Sequence, residues 1–182
     1  MESEKKTYIF KILVVGEGGV GKTTFINRYA TKKFVEDTKK TIGTSFYLFE
    51  KKIRENIMVT LQVWDFGGEK RFRFILPSYC EGAQGIIFAF DLTRISSLFN
   101  LHEWYDIIRE KIDNTDLMFM GSKLDLVKEM GAEAINDEQI LEFIKIYDLS
   151  ANSLIKTSSK TGENVENVFT QLLNAIYSRV TG

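Results

Sequence analysis

One junction constrains this chain more than any other. The apolar, β-rich run "YIFKILVV" (8–15) stops at Gly16 and passes into "GEGGVGKTT" (16–24), after which a helical segment begins. The spacing G-x-x-x-x-G-K-[ST] is met at Gly16, Gly21, Lys22 and Thr23. A strand that hands glycines and then a lysine–threonine pair to a helix N-terminus builds a cradle for an anion. The glycines let the backbone turn tightly, so that successive N–H groups face one ligand, and the helix adds the positive end of its dipole. Gly18, Gly19, Val20, Gly21, Lys22, Thr23 and Thr24 are therefore expected to hold a polyphosphate. Lys22 would neutralise the β- and γ-phosphates, and the Thr23 hydroxyl would bind Mg²⁺.

The rest of the chain alternates between two periods. "IMVTLQVW" (57–64), "GIIFAFD" (85–91), "LMFMG" (117–121) and the weaker "SLIKTS" (153–158) read as strands. "TSFYLF" (44–49) and residues 57–64 flank the charged stretch "EKKIREN", which reads as the turn of a hairpin. Helical spacing joins Leu98, Leu101, Tyr105, Ile108 and Ile112, with Ser96 or Ser97 as N-cap, then Ile140, Phe143, Ile144 and Tyr147, then Val165 to Ile176. Strands alternating with helices imply an α/β fold with a mainly parallel sheet covered on both faces. With no repeat or linker, residues 7–182 read as one domain behind a short charged extension, residues 1–6.

Composition removes several functions. The net charge of −1 gives no footprint for nucleic acid or for an anionic membrane. One cysteine, Cys80, and one histidine, His102, exclude an internal disulfide and a Cys/His zinc cage. Cys80 reads as a small packed residue and His102 as a helix-surface one.

A second stretch, "WDFGGEK" (64–70), completes the phosphate loop. A metal held by one threonine needs more oxygen ligands, and Asp65, at the end of a neighbouring strand, can hold it through water. Gly68 can bring its backbone N–H to the terminal phosphate with no side chain in between. "SKLD" (122–125) follows the strand 117–121, and the Asp125 carboxylate can accept from guanine N1–H and N2–H, whereas adenine would leave it unpaired. The Lys123 stem can cover the base plane, and backbone N–H groups of "TSSKTG" (157–162) can meet the guanine O6.

These motifs, each after its own strand, resemble those of the Ras-superfamily small GTPases, nearest the Rab-like branch. The resemblance spans about residues 7–179 through "GEGGVGKT", "TIG" with Phe46, "WDFGGE", "EGAQGIIFAFDLT", "SKLD" and "TSSKTGENV". It implies a phosphate-loop NTPase sandwich of three layers, with a six-stranded sheet, one strand antiparallel, and about five helices. It implies GTP or GDP as bound nucleotide with Mg²⁺, and metal ligation by Thr41 beside Thr23 and Asp65. It places Phe34 against the guanine, Gly18 where a side chain would crowd the γ-phosphate, and Ser158, Ser159 and Lys160 in the last base-contacting loop. Thr41, Gly68, Lys22 and the residue at 69 would carry hydrolysis. Phe46, Trp64 and Tyr79 match an aromatic trio that Rab-like proteins present to effectors. The family implies activating and exchange proteins as further partners.

Several residues depart from the family pattern. Ser122 stands where asparagine is usual, Thr38 and Lys40 where tyrosine and proline are common, and Phe66-Gly67 where Thr-Ala is common. Glu69 replaces the glutamine that positions the attacking water. An ionised carboxylate accepts hydrogen bonds but donates none, so slow intrinsic hydrolysis is expected unless a partner, or Arg71 or Arg73, supplies positive charge. The alternative is a nucleotide-gated binding module with little hydrolysis. An ATPase disagrees with Asp125, and a nucleotide kinase needs an arginine-bearing lid that is not found. The chain ends "SRVTG" with no nearby cysteine and carries Glu2, so the sequence as it stands offers no lipid anchor, which is read either as a soluble protein or as one whose lipidated tail lies outside this sequence; a cytoplasmic monomer is the reading.

Overall fold

A computed structural model describes residues 5–36, 40–131, 134–146 and 154–182. Thr38, Tyr147, Ser153 and the first four residues of the expected extension lie outside the described residues.

Six strands form one sheet in the order β2-β3-β1-β4-β5-β6. They are β1 (Lys6–Val15), β2 (Thr44–Arg54), β3 (Ile57–Phe66), β4 (Gly85–Asp91), β5 (Asp116–Ser122) and β6 (Leu154–Lys156). Only β2 runs antiparallel, against β3; β1, β3, β4, β5 and β6 pair in parallel. The expected turn "EKKIREN" is corrected: strand pairing continues through Lys52 and, after an irregularity, to Arg54 opposite Ile57. Glu50, Lys52 and Arg54 stand outward at alternate positions while Lys51, on the other face, pairs with Glu166, so these charges do not interrupt an edge strand that is wet on one face.

Seven helices alternate with the strands among the described residues: α1 (Lys22–Thr31), α2 (Leu76–Cys80), α3 (Ile95–Phe99), α4 (Leu101–Ile108), α5 (Leu124–Met130), α6 (Asp137–Lys145) and α7 (Val165–Thr181). Asn100 ends α3 and starts α4, so these two make one interrupted helix. Its start is also corrected. Arg94 occupies the N-cap position, and the buried Ser97 hydroxyl instead accepts from Asp91 N–H at 2.9 Å.

The sheet's period of two sorts its side chains between two cores. Ile12 and Val14 of β1 join Phe25, Ile26, Phe169, Leu172 and Leu173 under α1 and α7. Leu13 and Val15 face the other way, toward Leu76, Leu98, Leu101, Trp104 and Ile140. Cys80 lies in this second core, where burial pushes its thiol up to about 11, and His102 is exposed on α4 with Nδ1 2.6 Å from Phe99 O. With both faces covered, the carboxyl ends of the parallel strands are where loops can gather around a ligand.

Candidate functional site

The loops after β1, β3 and β5 and the loop following β6 enclose one cleft of about 410 Å³. Gly18 to Thr24, Phe34, Thr41, Gly68, Glu69, Ser122, Lys123, Asp125, Ser159 and Lys160 all line it. Asp65 and Ser158 are expected site residues that lie behind its wall; both are fully buried. Glu36, Lys40, Phe66, Gly67 and Leu126 also line the cleft without having been assigned a contact.

At the floor, Gly21 takes a left-handed conformation (φ 94°) and delivers Lys22 as the first residue of α1. The Lys22 ammonium is buried and donates to Gly16 O and Glu17 O, each at 2.8 Å. Burial lowers its pKa to about 8, against the pull of Asp65 and Glu17.

Beside it three oxygens converge. Thr23 Oγ1 donates to Asp65 Oδ2 at 2.5 Å, Thr41 Oγ1 donates to the same atom at 3.2 Å, and the two hydroxyls are 2.7 Å apart. Asp65 Oδ1 is buried with no hydrogen-bond partner. Burial pushes the Asp65 carboxyl above its ordinary range; the Thr23 hydroxyl, the Lys22 charge and the Thr41 hydroxyl offset this only in part. Such an all-oxygen set with one orphaned carboxylate oxygen fits a hard divalent cation such as Mg²⁺, which takes few protein ligands and keeps the rest for water and phosphate. No group of three or more His, Cys, Asp or Glu that could hold a metal occurs among the described residues.

Gly68 closes the cleft. A Cβ there would lie 1.9 Å from Gly18 N, so only glycine allows the two backbones to approach this closely. Glu69, next in the chain, lies at the rim with Oε2 2.7 Å from Arg71 Nε. Neither arginine weighed as a source of charge lines the cleft: Arg71 holds Glu69, and the buried Arg73 pairs with Glu103 and lies over the Trp104 ring, 4.5 Å from its centroid.

At the far end, Asp125 sits in the first turn of α5 and accepts from the Ser158 hydroxyl at 2.6 Å. The Lys123 ammonium reaches back to Asp91 Oδ2 at 2.6 Å. Burial works against the Asp91 charge, but Lys123 and both donors of Thr93 outweigh it and hold its carboxyl below the ordinary range. Ser122, despite its short side chain, places Oγ 2.6 Å from Val20 O and 2.9 Å from Phe90 O. One hydroxyl proton serves two carbonyls there, where an amide would bring two. The roles of Asp91 and Ser158 as supports went unread. The available signal for Asp91 was a carboxylate at the end of a fully apolar strand.

Among proteins of known family, residues 11–178 match the family model described as "Ras family". The chain belongs to the Ras family. Similar Ras-related proteins include RABA1h of Arabidopsis thaliana, 33% identical over 96% of this chain and 77% of its own length. Rab-1D of Dictyostelium discoideum is 34% identical over 95% of this chain and 82% of its own. Rab-11C of the same organism is 33% identical over 99% and 78%. Within the Ras family the chain is a Rab-like small GTPase, and its sheet with a single antiparallel strand is the expected fold. No helix among the described residues is long and apolar enough to cross a membrane.

Proposed function

We propose that this Ras-family chain is a GTP-binding switch that hydrolyses GTP to GDP with Mg²⁺, works as a cytoplasmic monomer, and presents its switch segments to effectors and to activating and exchange proteins. The observation that carries the reading is the convergence of the phosphate loop, the Thr23–Thr41–Asp65 oxygens and the Asp125–Ser158 pair on one cleft.

The Gly18–Thr24 backbone and Lys22 bind and orient the phosphates. Thr23, Thr41 and, through water, Asp65 would hold Mg²⁺, which when bound draws negative charge from the β- and γ-oxygens. The Gly68 N–H, brought close to the Gly18 backbone, would meet the terminal phosphate. Ser158 fixes the Asp125 carboxylate for the two guanine N–H donors, while Lys123, steered by Asp91, would share the base with Phe34 and Lys160, which line the same cleft. Phe46, Trp64 and Tyr79 form a contiguous cluster of tilted and edge-on rings, with centroids 4.7 Å and 5.0 Å apart and Phe46 46% exposed, and this supports their reading as an effector surface.

Glu69 favours a second reading, a binding module that hydrolyses little. A carboxylate drawn to Arg71 has no proton to donate to an attacking water. Single-turnover hydrolysis of bound GTP separates the two. Slow turnover that Glu69→Gln accelerates roughly tenfold or more supports the switch. A native rate indistinguishable from zero, rescued by glutamine, supports the binding module. Failure to retain guanine nucleotide at all overturns both.

A further inference from the structure

The phosphate loop contains two adjacent glycines, Gly18 and Gly19, whose absent side chains would meet nothing within 4 Å. Glycine has the most backbone freedom to lose, so nothing inside this exposed pair sets its conformation. Lys22 holds the carbonyls of Gly16 and Glu17 from within the loop, and the Gly18 carbonyl is held from outside it, by the α3–α4 side. Arg94 Nη2 donates to Gly18 O at 3.1 Å and lies 3.5 Å from Glu17 Oε2. Asn100 Nδ2 donates to Glu17 Oε1 at 2.6 Å.

Both anchors are themselves held. Arg94 N–H donates to Asp91 O at 2.9 Å, and Arg94 O accepts from the Ser97 hydroxyl at 2.7 Å. Asn100 N–H donates to Ser96 O at 2.9 Å. Gly68 packs against the same Glu17–Gly18 peptide, so a displaced Gly18 displaces the surface on which Gly68 closes.

We propose that Arg94 is a positioning residue for the terminal phosphate: by gripping the Gly18 carbonyl and the Glu17 carboxylate it sets the loop against which Gly68 closes, and so favours the triphosphate over the diphosphate. The inference rests on the nucleotide-binding reading above. An exposed ion pair of this kind adds little to stability, so its effect belongs to the ligand that needs Gly68 in place. A diphosphate has no group there and does not register it.

The test is stopped-flow release of fluorescent GTP and GDP analogues, with Mg²⁺, from the whole chain. Arg94→Ala is expected to speed release of the triphosphate about tenfold and of the diphosphate less than about twofold, the size of one charge-assisted hydrogen bond. Arg94→Lys should recover most of the difference, because a single nitrogen makes both contacts. Equal acceleration of both nucleotides, or none, overturns the proposal. If Arg94→Ala folds poorly, Glu17→Gln, which keeps the bond from Asn100 and loses the charge pair, is read in the same way. A native protein that retains neither analogue fails the nucleotide reading itself, a result distinct from any of these.

Discussion

Lys22 is a charge held at the cleft floor with little access to water. It is 5% exposed, its hydrogen bonds go to two carbonyls, and burial has already brought its pKa from 10.5 to about 8. A polyphosphate would supply the counter-charge, so without one the fold tolerates the ammonium at some expense. The unfolded chain keeps this proton to about 10.5 and the folded chain releases it near 8, so the unfolded state binds more protons between those values and stability rises with pH. Cys80, raised from 9.0 to about 11, and Tyr29, raised from 10.0 to about 12, act in the opposite sense once the unfolded chain begins to ionise them. The rise is therefore expected between pH about 8 and 9, in urea unfolding of nucleotide-free protein, and Lys22→Met should flatten it; a native profile flat over that interval would contradict the burial argument. At this scale the sequence was most legible where a residue's chemistry and its place after a strand coincide, as for Lys22, Thr23, Asp65 and Asp125. It was opaque where the role is a contact across the fold. Ser158 meets Asp125 and Asp91 meets Lys123 only because separate strands end side by side, and no spacing announces that Arg71 turns to Glu69.

Elements were legible in proportion to how one-sided they are. α7 buries Val165, Val168, Phe169, Leu172, Leu173, Ile176 and Tyr177 along one stripe, and the periodicity marked nearly all of it. The β2–β3 hairpin is longer than the sequence suggests because a run of charge resembles a turn, whereas an edge strand with one wet face carries charge at every second position. The start of α3 was misassigned because two serines compete there, and Ser97 is drawn inward by Asp91 N–H. α6 carries a capping signature that went unread: the Asn136 side chain accepts from Gln139 N–H at 2.9 Å, and Gln139 Oε1 accepts from Asn136 N–H at 3.2 Å. This reciprocal pair satisfies two N–H groups that the first turn leaves without helical partners. Asn136→Ala should lower stability by about 1 kcal/mol in chemical denaturation, with nucleotide affinity unchanged because α6 supplies nothing to the cleft. A loss well below that would mean that packing of Ile140, Phe143 and Ile144 alone holds the helix in place.

On the scale of the whole molecule, the cleft is assembled from loops far apart in the chain, so a ligand in it ties both cores together. The floor belongs to β1 and α1, the metal-facing oxygens to α1, β3 and the segment before β2, and the base-facing groups to β5, α5 and the loop after β6. A ligand that binds only this assembled state stabilises the entire fold by mass action, by about 4 kcal/mol at a thousand times its dissociation constant. For a chain of 182 residues that corresponds to a rise in melting midpoint of roughly 8–16 °C. GTP with Mg²⁺ should give a shift of this order and ATP with Mg²⁺ should give little, since adenine would leave the Asp125 carboxylate with only the Ser158 hydroxyl as partner. Two changes then separate the halves of the cleft. Removing Mg²⁺ with a chelator should shrink the GTP shift by leaving the Thr23–Thr41–Asp65 oxygens to face phosphate charge without a cation. Asp125→Ala should instead bring the GTP and ATP shifts together while leaving the Mg²⁺ dependence intact. If Asp125→Ala keeps the full preference for GTP, base choice resides elsewhere in the cleft, and the pairing of a phosphate end with a separate base-reading end is wrong for this chain.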